Sequence, residues 1–183
     1  MMKRMLLLAL AVAVSPLFAG DLADFGNGLG RVALGGRPGF TEAFEPEFIE
    51  DAIAAAPAKV LKVKLAAPKE KSARFDVNMR ISAEEAANAK SLAFDVRADK
   101  PASVWWISLY FFPEKRQRVH MIAPSGLWRG TKPNEWKHIE VPVEKFIVKD
   151  GEMQITDARQ VFLSFFCYGP VELQFANIKL LDK

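Results

Sequence analysis

Ser103-Val-Trp-Trp-Ile-Ser-Leu-Tyr-Phe-Phe112 and Gln160-Val-Phe-Leu-Ser-Phe-Phe-Cys-Tyr168 decide the fold class. Both are rich in β-branched and aromatic residues, carry no helical stripe, and place apolar side chains at alternate positions, as half-buried strands require. They lie within a longer stretch, Ser91 to Leu181, in which segments of the same kind follow at short intervals: Ser91 to Ala98, Gln117 to Ala123, Trp136 to Val143 and Val171 to Leu181.

Upstream, Lys59-Val-Leu-Lys-Val-Lys-Leu65 puts Leu61, Val63 and Leu65 on one face. Ala73-Arg-Phe-Asp-Val-Asn-Met-Arg-Ile81 alternates five apolar with four polar residues, so one of its faces is solvated. Ser82-Ala-Glu-Glu85 has capping-box spacing and starts a helical turn through Ala89. Pro46 to Ala56 reads as a short helix, with Phe48, Ile49, Ala52 and Ile53 on one face and Pro57 as its stop, or as a loop. Gly20 to Gly39 holds seven glycines and reads as one short edge strand followed by a long irregular loop.

This makes eight strands after the N-terminal edge, with no helix longer than about three turns. Parallel crossover units need long helices between strands. The expected fold is therefore all-β, a two-sheet antiparallel jelly-roll sandwich of about eight to nine strands.

Residues 1–19 read as a secretory signal: Lys3 and Arg4 precede the apolar run Leu6 to Val14, and Pro16 precedes Leu17-Phe18-Ala19. The run is too short to span a bilayer. Cleavage after Ala19 would release residues 20–183 as a single domain into a periplasmic or extracellular space, and the absence of a cysteine at that junction argues against a lipid anchor. Without Lys3 and Arg4 the 25 basic residues fall to 23 against 22 acidic ones, a net charge of +1. So even a balance argues against nucleic acid and against a polybasic membrane contact. Cys167 is the only cysteine, which excludes an internal disulfide, and its apolar neighbours mark it as a buried small hydrophobe.

Asn134-Glu-Trp-Lys-His-Ile-Glu-Val-Pro-Val-Glu-Lys-Phe146, then Gln160-Val-Phe-Leu-Ser-Phe-Phe, then Val171-Glu-Leu-Gln-Phe-Ala-Asn-Ile-Lys-Leu180, resembles the second half of jelly-roll domains of the galactose-binding-like group, which includes several carbohydrate-binding module families. The resemblance rests on packing positions, among them Trp136 and Phe146. It implies that Ala73 to Ile81, Gln160 to Tyr168, Ser103 to Phe112 and Gln117 to Ala123 lie side by side, in that order, in the sheet that often forms a concave sugar-binding face.

Period-two alternation then sorts these strands. With Val161, Leu163, Phe165, Cys167, Trp105, Ile107, Leu109 and Phe111 pointing inward, the outer face receives Arg74, Asp76, Asn78, Arg80, Phe162, Ser164, Phe166, Tyr168, Trp106, Ser108, Tyr110, Arg118 and His120. From these, Trp106, Tyr110, Ser108, Arg74, Asp76, Asn78, Tyr168, Ser164, Arg118 and His120 form the expected ligand-binding set, open to solvent. A pyranose offers an apolar C–H face to an aromatic ring, while its hydroxyls take paired polar partners such as Arg, Asp and Asn. The expected ligand is an oligosaccharide or polysaccharide, bound with a dissociation constant between about 1 mM and 10 μM.

Three alternatives stay open at this point. Phe162 and Phe166 belong to the core of a thick sandwich, Arg74, Asp76 and Arg80 form a cross-strand ion-pair ladder, or a bulge exchanges Trp105 for Trp106. Trp128, in Gly126-Leu-Trp-Arg-Gly130, is either a rim contact or a loop plug. The corresponding functional alternative is an envelope domain whose ligand is another protein.

No cofactor, metal or catalytic centre is expected. The resemblance implies a structural calcium held by an acidic residue of the first strand and an Asp near the end of the last. Here Ala176 stands at the Asp position, and Asp24 with Asn177 is a poor start for six to eight oxygens. His120 and His138 have no zinc spacing, and nucleophile elbows, phosphate loops and His-Glu metal motifs are missing.

Overall fold

The computed structural model describes residues 20–23, 25, 29–36, 46–53, 56–66, 73–114 and 119–182, so the signal-like segment 1–19 lies outside the described residues. Among the described residues twelve strands form two antiparallel sheets. In chain order they are β1 (Gly20–Ala23), β2 (Val32–Gly36), β3 (Glu47–Ile53), β4 (Ala56–Leu65), β5 (Ala73–Arg80), β6 (Ser91–Ala98), β7 (Val104–Phe112), β8 (His120–Ile122), β9 (Lys137–Pro142), β10 (Ile147–Lys149), β11 (Gln160–Cys167) and β12 (Val171–Leu181). The helix α1 (Ala83–Asn88) starts on the expected capping box: Glu85 N donates to Ser82 Oγ at 3.1 Å and Ser82 N to Glu85 Oε2 at 2.7 Å.

The first sheet runs β3-β4-β12-β6-β9, with β1 also paired to β12. The second runs β10-β8-β7-β11-β5-β2. Its middle reproduces the order inferred for the aromatic strands, and every pair among them is antiparallel. Between the sheets lie Phe75, Phe111 and Phe165 from the second and Phe94 and Phe175 from the first, all fully buried. Phe165 meets Phe175 edge-on at 5.1 Å, so the two sheets interlock through aromatic contacts.

Several expectations about local structure are corrected. The segment around Phe48 is a strand, neither helix nor loop: β3 pairs with β4, placing Glu47 opposite Lys62 and Glu50 opposite Lys59, each joined by an ion pair. Strand pairing overrides a helical stripe that held only locally. The glycine-rich N-terminal stretch contributes two strands, because β2 adds to the outer edge of β5. Of the strand expected over Gln117 to Ala123, Gln117 and Arg118 lie outside the described residues and His120 to Ile122 form β8, while β10 extends that sheet edge beyond it.

The shortness of β8 matters for the site. It pairs with β7 only at Tyr110 and Phe111, supplemented by Ala123 N donating to Leu109 O at 3.0 Å. From Val104 to Ser108, β7 has no strand on that side among the described residues.

Candidate functional site

The register of β5, β11 and β7 stacks their outward residues in rows across the sheet. Asn78, Phe162 and Tyr110 form one row, Asp76, Ser164 and Ser108 the next, and Arg74, Phe166 and Trp106 a third. A row of short side chains, continued by Gly35 opposite Asp76, thus separates two rows that carry rings. The outer face is a shallow trough with aromatic shoulders.

At one shoulder β7 departs from regular pairing. Phe166 faces Trp106, but Cys167 faces Val104, so Trp105 is the extra residue of a β-bulge. Trp105 was expected between the sheets. It is instead 52 % exposed, and Trp106 is 36 % exposed. Val104 takes the inward place, and both indoles turn out of the core. The Trp105 ring lies 5.7 Å from Phe166 and 6.3 Å from Trp106. Tyr168, 55 % exposed, follows at the end of β11. Its amide donates to Ser103 O at 3.0 Å, and the chains approach closely there: a Cβ on Gly169 would sit 2.9 Å from Ser103 Oγ and would displace that hydroxyl.

The other shoulder is a second ring group. His120 lies 5.5 Å from Tyr110 and 5.2 Å from Phe112, and Phe112 meets Phe162 edge-on at 5.1 Å. Phe162 faces outward by register yet is buried beneath these neighbours, and Phe166 is half-buried. Their rings roof the outer surface of the sheet and take no part in the inter-sheet core.

Between the shoulders the polar groups are tied together. Arg74 donates from Nε and Nη2 to Asp76 Oδ2 at 3.1 and 2.8 Å, Ser164 Oγ donates to Asp76 Oδ1 at 2.5 Å, and Trp106 Nε1 donates to Ser108 Oγ at 2.7 Å. Asp76, Ser108 and Ser164 are buried, contrary to the expectation that they face solvent. The flanking indole and guanidinium lean over them. Asp76 and Ser108 accept from Arg74 and Trp106, and the groups that reach the surface are Arg74, Asn78, Trp106, Tyr110, Tyr168 and His120. Arg118 lies outside the described residues.

A cleft of about 320 Å³ opens beside the bulge, lined by Trp105, Trp106, Ile107 and the loop residues Gly126, Leu127, Trp128 and Arg129. Trp128 serves as a plug: its Nε1 donates to Pro101 O at 3.0 Å and its ring meets Phe165 edge-on at 6.1 Å, while the cleft borders it on one side. Sequence alternation missed Trp105. The signal was the spacing of the inward residues Val104, Ile107, Leu109 and Phe111, whose first step is three where a regular strand has two.

On the opposite sheet Asn177, in a left-handed conformation (φ 51°) within an irregularity of β12, donates Nδ2 to Asp95 Oδ2 at 2.7 Å. His138 Nδ1 donates to Asp95 Oδ1 at 2.8 Å. Asn177 thus satisfies a neighbouring carboxylate. Asp24 lies outside the described residues, and among those described no group of three or more His, Cys, Asp and Glu side chains could hold a metal ion. Burial pushes the Cys167 thiol up to about 12, which makes it an unreactive core residue.

No protein-family model matches this chain, and no curated protein sequence does. Solved structures do. A family 11 carbohydrate-binding module of a cellulosomal cellulase from Clostridium thermocellum superimposes with a TM-score of 0.59 at 13 % identity, covering 91 % of this chain and 96 % of that one. A family 11 module from the same organism, in complex with a β-1,3-1,4-mixed-linked tetrasaccharide, gives 0.58 at 14 % identity, with 87 % and 93 % covered. A carbohydrate-binding module specific for non-crystalline cellulose gives 0.54 at 17 % identity, with 89 % and 94 % covered. The chain shares the jelly-roll sandwich of carbohydrate-binding modules along nearly its whole described length.

Proposed function

We propose that this chain is a secreted, non-catalytic glycan-binding domain whose ligand lies across the outer face of the second sheet. The observation that carries the reading is the exposed indole pair Trp105 and Trp106, set beside Arg74 and Trp106 groups already oriented by Asp76 and Ser108. A ring held in place loses little freedom on binding, so stacking of a sugar C–H face contributes on the order of 0.5 to 1.5 kcal/mol per aromatic. Two or three such contacts with a few hydrogen bonds give affinities in the micromolar to millimolar range, roughly −4 to −7 kcal/mol.

Trp105, Trp106, Tyr110 and Tyr168 are the proposed platforms, and Arg74, Asn78 and His120 the proposed hydrogen-bonding partners. Asp76, Ser108 and Ser164 are positioning residues beneath them. Secretion is supported by the charged-then-apolar pattern of residues 1–19.

A glycan array followed by titration of the best oligosaccharide, with Trp fluorescence as readout, tests the reading. Binding should shift the emission and should weaken in Trp106→Ala. An array without signal, together with a single protein recovered by pull-down from envelope extracts, would replace the glycan with a protein ligand.

A further inference from the structure

Past the Tyr110, Phe112 and His120 shoulder the outer face ends in a polar recess of about 260 Å³, lined by Arg80, Ile81, Glu114, Arg159 and Gln160. Two guanidinium groups border this one hollow. Arg159 is anchored, since its Nη1 donates to the carbonyls of Thr156 at 2.8 Å and Ala158 at 2.6 Å, neutral acceptors that leave its charge uncompensated. Arg80 is exposed at the end of β5, and neither arginine forms an ion pair with a described residue. Lys149 lies farther along the same edge, opposite His120 in the β8–β10 pairing. Among the described residues the one carboxylate bordering the recess is that of Glu114, at an exposed position where solvent screens it.

The position of the recess gives these charges a role. Arg74, beside the tryptophan shoulder, and Arg80 lie six residues apart on one strand, about 20 Å along it, a span of several sugar rings. A chain stacked on the indoles and laid along the strands arrives at the arginine pair. Among the described residues of β5, β7 and β11, the one other guanidinium on this face, that of Arg74, is matched by Asp76.

We infer that this recess is a subsite for an oxyanion carried on a sugar ring, so that the glycan of the proposed function is acidic, a uronate or a sulfated saccharide. The planar fork of a guanidinium pairs with two oxygens of a carboxylate or sulfate at once, which a neutral hydroxyl cannot match. The inference rests on the glycan-binding reading and adds the charge class of the ligand to it.

Titration calorimetry with three oligosaccharides of equal length, a neutral β-glucan, an oligouronate and a sulfated galactan, tests it. At least one acidic ligand should bind about tenfold tighter than the neutral one, and the advantage should shrink in 0.5 M salt. The acidic ligand that does so identifies the anion. Arg80→Ala, and separately Arg159→Met, should bring the ratio of acidic to neutral affinity towards one, whereas Lys64→Ala on the opposite sheet should leave it in place. A neutral ligand that binds as tightly as both acidic ones overturns the inference and leaves the glycan-binding reading standing. So does a ratio unmoved by Arg80→Ala, or polyglutamate binding as tightly as the acidic sugar. No binding by any of the three overturns both.

Discussion

The two outer faces of this sandwich are built from similar residues and used in opposite ways. On the first sheet Lys62 pairs with Glu47 at 2.9 Å and Glu172 at 3.6 Å, Arg97 reaches Asp51 and Gln174, and Asp95 accepts from His138 and Asn177. The one large ring there, Trp136, is packed against Ile53, Val60 and Ala176 with the Arg97 guanidinium 4.8 Å above its centre. That face pairs its principal charges internally, although Arg97 Nε and Trp136 Nε1 are buried there without a hydrogen-bond partner. On the second sheet the trough floor is matched through Arg74, Asp76 and Ser164, while the Trp105 and Trp106 rings, the phenols of Tyr110 and Tyr168 and the guanidinium groups of Arg80 and Arg159 reach the surface. A face whose charges and rings are mutually matched gains little from a ligand, and one whose rings are held but uncovered gains more.

That contrast can be broken by mutation. Phe165 lies beneath both faces, in contact with Phe175 and Trp128, so Phe165→Ala should lower stability by about 3 to 5 kcal/mol and, by loosening the sheet that carries the trough, weaken glycan binding as well. Chemical denaturation measures the first effect and titration of the refolded variant the second. Arg97→Met on the first sheet's face should cost roughly 1 to 3 kcal/mol, because it removes the guanidinium bonds to Asp51 and Gln174. Its glycan affinity should stay unchanged. A variant that keeps its stability but loses the glycan would reverse the assignment of the two faces.

Trp106→Ala tests the other side of the comparison. It should weaken binding about three- to tenfold and lower stability by no more than about 1 kcal/mol for the lost bond to Ser108. Trp105→Ala should act in the same direction, whereas a Trp105 inside the core would have made the same change a severe folding defect. Comparing the two denaturation midpoints separates these outcomes.

A smaller effect is expected at Glu85, which belongs to neither face. Burial alone would raise its carboxyl, but Arg31 at 2.7 Å and the Ser82 amide hold it below its ordinary value. A depressed folded-state value means that the contribution to stability is present above the ordinary carboxylate range and disappears as pH falls through the folded value. Glu85→Gln should therefore cost about 1 kcal/mol at neutral pH, and the gap between wild type and variant should close in acid. A gap that persists unchanged at low pH would show that charge is not the cause.

How much of this was legible in the chain varied with the range of the interactions involved. The order of β5, β11, β7 and β8 is what the family resemblance implies, and alternation then assigns each side chain to a face wherever the strand is regular. The capping box at Ser82 and the burial of Cys167 were equally local. The segment β3 was not, since Phe48, Ile49, Ala52 and Ile53 do fall on one side of a helix, and only the partner strand with its Lys59 and Lys62 selects the extended form. The trough was legible as a set of residues but not in its depth. Whether Ser164 is open or covered depends on where the Trp106 and Phe162 side chains lie, and that is fixed across strands. The recess at Arg80 and Arg159 left no pattern at all, because Arg159 belongs to the connection before β11 and meets Arg80 only through pairing.

Among the described residues no strand pairs with β7 from Val104 to Ser108 on the β8 side, and an uncovered strand edge is one on which an extended segment from another molecule can dock and seed aggregates. A bulge spoils the regular donor and acceptor spacing such an intruder needs, and two bulky indoles crowd its approach. Replacing both Trp105 and Trp106 by alanine should therefore raise self-association, which sedimentation of the double variant would read, as well as weaken the proposed glycan contact.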